Sequence, residues 1–165
     1  ELAERSFVIS SFGKTYHITG WKVGYCVAPA QLSAELRKVH QYIAFCTPTP
    51  MQLAIADYMN AHPEYVTELP GFYQQKRDVF CREIQDSRFD FTPTEGTYFQ
   101  LADYSRISDM DDVSFARWLT TEAGVAAIPV SVFCEQPQPE SRLVRFCFAK
   151  NEDTLKQAGE LLCRL

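Results

Sequence analysis

The segment Leu143-Val144-Arg145-Phe146-Cys147-Phe148 alternates apolar and other residues with period two, which restricts the fold more than any other stretch. Val144, Phe146 and Phe148 share one face of a strand, and that face must be core. Leu143, Arg145 and Cys147 share the other. Taken by itself, Arg145 reads as an arginine on a solvent-facing strand surface.

Around this strand the period switches repeatedly between two and about 3.6. Residues 6–12 and 24–28 read as short buried strands. After Pro29, Leu32, Leu36, Val39 and Ile43 recur at helical spacing. Thr47-Pro48-Thr49-Pro50 stops that helix, because proline removes an amide donor and restricts its predecessor. A second helix starts at Pro50 and runs towards Asn60. Residues 64–87 form a long charged helical stretch with Pro70-Gly71 as its irregularity. Phe89-Asp90-Phe91 and Thr97–Asp103 alternate. Asp111 or Asp112 caps a helix carrying Phe115, Trp118 and Leu119, which Gly124 closes. A short strand at 125–128 precedes a loop of Pro, Ser and Gln. Asn151 caps a last helix with Leu155, Ala158, Leu162 and Leu165 on one face.

This order predicts an α/β or α+β chain in two regions meeting near residues 60–65. The first region has too few strands for a complete sheet. The chain opens Glu1-Leu2-Ala3-Glu4-Arg5, and a strand follows almost at once. The expectation is therefore a piece of a longer protein with no signal peptide. A hydrophobic content of 46% with 22% charged residues is that of a globular protein. The net charge of −5, without a basic run, argues against nucleic acid as a partner. No apolar stretch reaches the roughly 20 residues that cross a bilayer. Cys26, Cys46, Cys81, Cys134, Cys147 and Cys163 lack zinc spacing. Most have apolar neighbours and read as buried thiols, which suggests a reducing cytoplasm.

The chemistry concentrates in Ser10–Tyr25, SSFGKTYHITGWKVGY, where Lys14 and Lys22 stand eight positions apart. Gly13-Lys14-Thr15 matches the end of a phosphate-binding loop, but Val8 stands where that motif needs its first glycine. Ser11-Phe12-Gly13-Lys14 matches the Ser-x-x-Lys of penicillin-binding enzymes, whose Ser-Asp-Asn and Lys-Thr-Gly companions do not occur. A third reading uses more of the string. Lys14 is a covalent amine for an aldehyde cofactor, while Lys22 and the Ser11 hydroxyl hold its phosphate. Gly20 lets the chain turn back so that Lys22 reaches the same place.

Ser11-Phe12-Gly13-Lys14 followed by Thr19-Gly20-Trp21-Lys22-Val23-Gly24-Tyr25 resembles the pyridoxal-phosphate attachment region of class I/II aminotransferases of fold type I. The subgroup it is most similar to is the kynurenine/glutamine/methionine aminotransferases, which have Gly-Trp-Lys where many relatives have Gly-x-Arg. The resemblance continues through Thr47–Gln52, Glu95–Phe99 and Val144–Lys150, and so covers essentially the whole chain.

The resemblance implies a C-terminal fragment of that α/β fold: residues 1–62 end the cofactor-binding large domain, and 63–165 form the small domain. It also implies a Schiff base between pyridoxal 5'-phosphate and Lys14, with Ser11 and Lys22 as further cofactor contacts. Lys14 would be the catalytic base and acid, and Arg145 the partner of the substrate carboxylate. The implied reaction moves an amino group between an L-amino acid of methionine, glutamine or aromatic type and a 2-oxo acid. The implied assembly is a homodimer that includes the missing N-terminal half. β-Elimination from cysteine conjugates remains an alternative, as does a non-catalytic fragment or half of a split enzyme. Tyr98 stands at the edge of the expected substrate pocket or packs as a strand aromatic. His17, His40 and His62 read as structural, and Asp111-Asp112 as a helix cap rather than a metal site.

Overall fold

The computed structural model describes residues 1–136 and 141–165, in two compact units, Glu1–Leu69 and Pro70–Leu165. The Pro-, Ser- and Gln-rich loop is described except for 137–140, which lie outside those residues.

In the first unit, β1 (Val8–Ser11) and β2 (Gly24–Val27) pair antiparallel, with Ser10 opposite Tyr25 and Ser11 opposite Gly24. Between them lie a single helical turn, α1 (Phe12–Thr15), and a 3-10 turn at Thr19–Trp21. Two amphipathic helices follow, α2 (Ala30–Ile43) and α3 (Thr49–Ala61), the second with Pro50 in its first turn, where the missing amide costs nothing. Tyr16 stacks on Tyr65 with ring centres 5.2 Å apart, and Tyr58 meets both rings edge-on. This aromatic cluster ties the end of α1 to α3 and to the start of α4 (Tyr65–Ile84).

The helix α4 carries Pro70 inside it, and the division between the units falls at that proline. In the second unit, β3 (Phe99–Asp103), β4 (Ile128–Pro129) and β5 (Leu143–Cys147) form an antiparallel sheet in the order β3-β5-β4. The helices α5 (Asp112–Thr121) and α6 (Glu152–Leu162) complete it. Asp111 and Asn151 cap these helices by accepting from the backbone amides of Ser114 and Thr154, at 2.9 and 2.8 Å.

The alternation at 143–148 holds: Val144, Phe146 and Phe148 are at most 2% exposed, while Leu143, Arg145 and Cys147 are half-buried. The core gathers Phe80 and Ile84 of α4, Phe115 and Leu119 of α5, and Leu155 and Leu162 of α6 around that face. Each such side chain contributes roughly 1.5–3 kcal/mol by leaving water. Tyr104 stacks on Phe115 at 3.8 Å and donates to the Met110 carbonyl at 2.9 Å. Burial, reinforced by the nearby Asp112 charge, pushes the Tyr104 phenol up to about 12. Buried Gln100 donates to the carbonyls of Thr92 and Leu101 and accepts from the Thr94 amide, which fastens the segment before β3.

Several expectations need correction. Phe89–Phe91 makes only an isolated bridge between Asp90 and Asp103, because the chain enters the turn at Glu95-Gly96 too soon to extend the ladder. The strand expected at 125–128 is reduced to Ile128–Pro129. Proline donates no ladder hydrogen bond, and Val125 instead caps α5 through a bond to Leu119 O. The helix α5 ends at Thr121, and Gly124 follows it in the left-handed conformation, with φ of 75°. None of the six cysteines is buried: Cys46, Cys134 and Cys163 are exposed and the others half-buried. In Phe146-Cys147-Phe148 the period-two pleat that buries the rings turns the thiol to the opposite face. Among the described residues no helix is long and apolar enough to cross a membrane.

Gly159 of α6 sits against α4 so closely that an added Cβ would lie 2.5 Å from Glu83 Cβ and 3.0 Å from Glu83 O. Backbone cannot yield as a flexible side chain does. Gly159→Ala should therefore destabilise the protein by about 1–3 kcal/mol, although alanine is the better helix former. A denaturant midpoint at or above that of the parent would contradict this packing.

Candidate functional site

The lysine loop is built by closing α1 onto the turn that follows it. Ser11 caps α1, its Oγ accepting from the Gly13 amide at 3.0 Å. The Gly13 carbonyl accepts from the Ile18 amide at 2.9 Å and from Thr19 Oγ1 at 3.1 Å. The Phe12 amide donates to Val23 O at 3.1 Å. Gly13 is buried, and a Cβ there would lie 3.1 Å from Ser11 Oγ and 3.2 Å from Thr19 Cα. A glycine is needed for the two arms to meet. Gly24 is needed for the same reason, since a Cβ would stand 2.5 Å from Ser10 O across the ladder.

These bonds carry Ser11, Lys14 and Lys22 at one end of the β1–β2 ladder. Lys14 extends from α1, and Lys22 follows the 3-10 turn, two residues before the Ser11–Gly24 pair. Both lysines are exposed, and neither has an ion pair or side-chain hydrogen bond among the described residues. The turn back is not made by Gly20, whose φ is not positive. His17 and Lys22 adopt the left-handed conformation instead, with φ of 57° and 56°. A non-glycine residue in that region costs of order 1 kcal/mol and persists where surrounding bonds impose it. No local sequence pattern announces it.

The second unit holds Arg145, described by itself. It lies opposite Leu101 on β3 and Ile128 on β4. Its guanidinium carbon sits 3.9 Å from the Phe99 ring centre and 4.6 Å from that of Phe133. Arg145 Nε is buried with no hydrogen-bond partner among the described residues. A surface arginine would be hydrated. This one is flanked by rings and keeps an orphaned, charge-bearing donor, which is costly unless an acceptor arrives. Tyr98 is half-buried, with its ring centre 4.3 Å from Phe99 and 5.7 Å from Tyr73. Asp111 is a helix cap as expected, and the two hydrogen bonds from the Ser114 amide and hydroxyl hold its carboxyl below the usual range. Asp112 does something the sequence did not indicate. It is buried and accepts from both the amide and the hydroxyl of Ser131, each at 2.7 Å.

An amine, a hydroxyl and a second cation on one closed loop, within an α/β chain, form a donor set suited to a phosphorylated aldehyde. The chain belongs to the aminotransferase class I and II family, whose model matches residues 2–162; the enzymes of that family depend on pyridoxal phosphate. It is 59% identical to the methionine aminotransferase of Escherichia coli K12 over 165 residues, covering all of this chain and 42% of that protein. It is 38% identical to a kynurenine–oxoglutarate transaminase of Dictyostelium discoideum, covering 98% of this chain and 42% of the relative. A crystal structure from Escherichia coli, of a protein with methionine aminotransferase function, superposes with a TM-score of 0.95 at 59% identity, over 99% of this chain and 43% of that one. N-Succinyldiaminopimelate aminotransferase of Mycobacterium tuberculosis superposes at 0.89 with 35% identity, over 98% and 42%. The chain thus spans a little over two-fifths of the length of the relatives it matches.

Proposed function

We propose that the complete protein is an aminotransferase that exchanges an amino group between an L-amino acid of methionine, glutamine or aromatic type and a 2-oxo acid. The observation that carries the proposal is the closed loop that presents two amines, unpaired among the described residues, and a capping hydroxyl at one end of a hairpin. Kinship with methionine and kynurenine aminotransferases supports the substrate class. Residues 1–62 are assigned to the end of the large domain and 63–165 to the small domain. The working assembly is a cytoplasmic homodimer.

The loop fits pyridoxal phosphate on its own chemistry. Ser11 Oγ accepts from Gly13, which leaves its hydroxyl hydrogen to donate outwards. Lys22, with no carboxylate partner among the described residues, is a point charge for a phosphate. Lys14, equally unpaired, is the amine for the aldehyde. When bound, the cofactor supplies an electron sink for the pair released as the substrate Cα–H bond breaks. Lys14 Nζ would take the Cα proton and pass it to the carbon of the cofactor's aldehyde group, as base and then acid. Arg145 orients the substrate by its carboxylate, with Nε and one terminal nitrogen as the planar fork. The rings of Phe99 and Phe133 flank the guanidinium and leave its nitrogens free for the carboxylate.

Borohydride reduction of the complete, cofactor-loaded protein, followed by peptide mass mapping, tests this reading. The expected result is one cofactor mass on the peptide containing Lys14. A cofactor mass on another lysine, or on none, sinks it.

A further inference from the structure

We infer that Asp112 and Ser131 form a latch that fixes Phe133 against Arg145, which makes Asp112, Ser131 and Phe133 positioning residues for carboxylate recognition. The inference rests on the reading of Arg145 as a carboxylate anchor.

Asp112 is 7% exposed, and the cap of α5 is already supplied by Asp111. An acid in the first turn gains from the helix dipole without being buried. Burial of a carboxylate is tolerated only where hydrogen bonds replace its water. Both Asp112 oxygens have such bonds, from the Ser131 amide and hydroxyl, 19 positions along the chain. Ser131 opens the 3-10 turn Ser131–Phe133, so the carboxylate anchors that turn to the first residue of α5.

Phe133 ends the turn. Its ring is 62% exposed, so loss of water does little to hold it in place. It nevertheless lies over the Arg145 guanidinium, while Phe99 reaches the same group from β3, two pairs along the ladder. Aromatic faces attract a cation without using its N–H donors. Two rings therefore fix the guanidinium plane and leave its nitrogens for an incoming acid. The buried Nε, unpartnered among the described residues, is the donor left over. Phe99 is set by its strand, whereas Phe133 is set by a short turn closed by the Phe133 amide on Val130 O and the Cys134 amide on Ser131 O, and the latch ties that turn to α5. Without it the guanidinium loses one wall and gains rotamers, and part of its preorganisation is lost.

The test measures binding of 3-phenylpropanoate and 3-phenylpropanamide to the complete, cofactor-loaded protein. The acid carries a carboxylate and no reactive amine; the amide has the same shape without the charge. Ser131→Ala and Phe133→Leu should each weaken the acid about three- to tenfold and leave the amide within about twofold. Asp112→Asn, which keeps an acceptor for one of the two bonds, should fall between these and the parent. Phe133→Leu changes an exposed side chain and keeps the test open if Ser131→Ala fails to fold. Unchanged acid binding in Phe133→Leu, or equal losses for acid and amide, would overturn the latch. Arg145→Met in the same assay separates the two readings. If it still prefers acid over amide as the parent does, the assignment of Arg145 itself fails. If it loses the preference while the latch variants keep it, only the latch fails.

Discussion

Lys14→Ala in the complete protein is expected to lose transamination by about four orders of magnitude or more, because it removes both the attaching amine and the proton carrier. The structure makes this a clean chemical deletion. Lys14 is exposed, in one turn of helix, with no ion pair or side-chain hydrogen bond among the described residues. Alanine is a good helix former, so with the cofactor removed from both proteins stability should stay within about 0.5 kcal/mol of the parent. The bonds that close the loop run through Ser11, Gly13, Thr19 and Val23, and survive the change. Lys14→Arg is the sharper control. It keeps a positive charge but supplies no amine that can attach to an aldehyde at neutral pH. It should retain phosphate affinity from Ser11 and Lys22, give no borohydride-stable label, and turn over no faster than Lys14→Ala. Single-turnover measurements with saturating amino acid decide the matter. A Lys14→Ala protein that keeps more than about a hundredth of the parent rate would show that another group moves the proton.

The loop shows which parts of a site a sequence can disclose. The residue types and spacing of Ser11, Lys14 and Lys22 were legible because the chemistry needs a hydroxyl and two amines within reach of one ligand. The backbone that delivers them was not. Gly20 looked like the pivot because glycine tolerates any φ, yet Lys22 and His17 take the left-handed positions. Their conformations are imposed by bonds between residues 11–13 and 18–23, which no local pattern encodes. Gly13 and Gly24 are required for contact rather than conformation, and contact is visible only once the arms have met.

The second unit divides in the same way. The pleat of β5 and the caps Asp111 and Asn151 were readable, since alternation and capping are local rules. The cysteines were misjudged, because apolar neighbours in sequence lie on the opposite face of a strand. Asp112 was read only as a cap candidate beside Asp111. Its partner, Ser131, lies 19 positions away, and nothing in Asp-Asp distinguishes the capping acid from the buried one. Arg145 looked like a surface residue for a related reason. Leu143, Arg145 and Cys147 face away from the core, but Phe99 and Phe133 come from β3 and from the turn after β4 to cover that arginine. A residue on the open side of a sheet can still be half-buried when a neighbouring turn folds over it.

Replacing Arg145 should separate activity from stability with opposite signs. Arg145→Met removes the fork that holds the carboxylate, and kcat/KM is expected to fall about a hundredfold or more, carried mainly by KM. Arg145→Lys should recover only part of that, since an ammonium on a flexible stem offers a point charge where two parallel bonds are needed. Neither change touches the lysine loop, so borohydride should still attach the cofactor to Lys14 in both. Among the described residues Arg145 Nε is buried and unpartnered, and two rings flank the guanidinium. An orphaned donor on a charged group subtracts from stability, and an apolar side chain of similar length packs between Phe99 and Phe133 without that cost. Arg145→Met should therefore unfold at an equal or higher denaturant concentration than the parent, with an unchanged slope. A residue kept for its packing would behave in the reverse way, losing stability while sparing KM. A parent-like KM with a lowered unfolding midpoint would end the case for Arg145 as the carboxylate anchor.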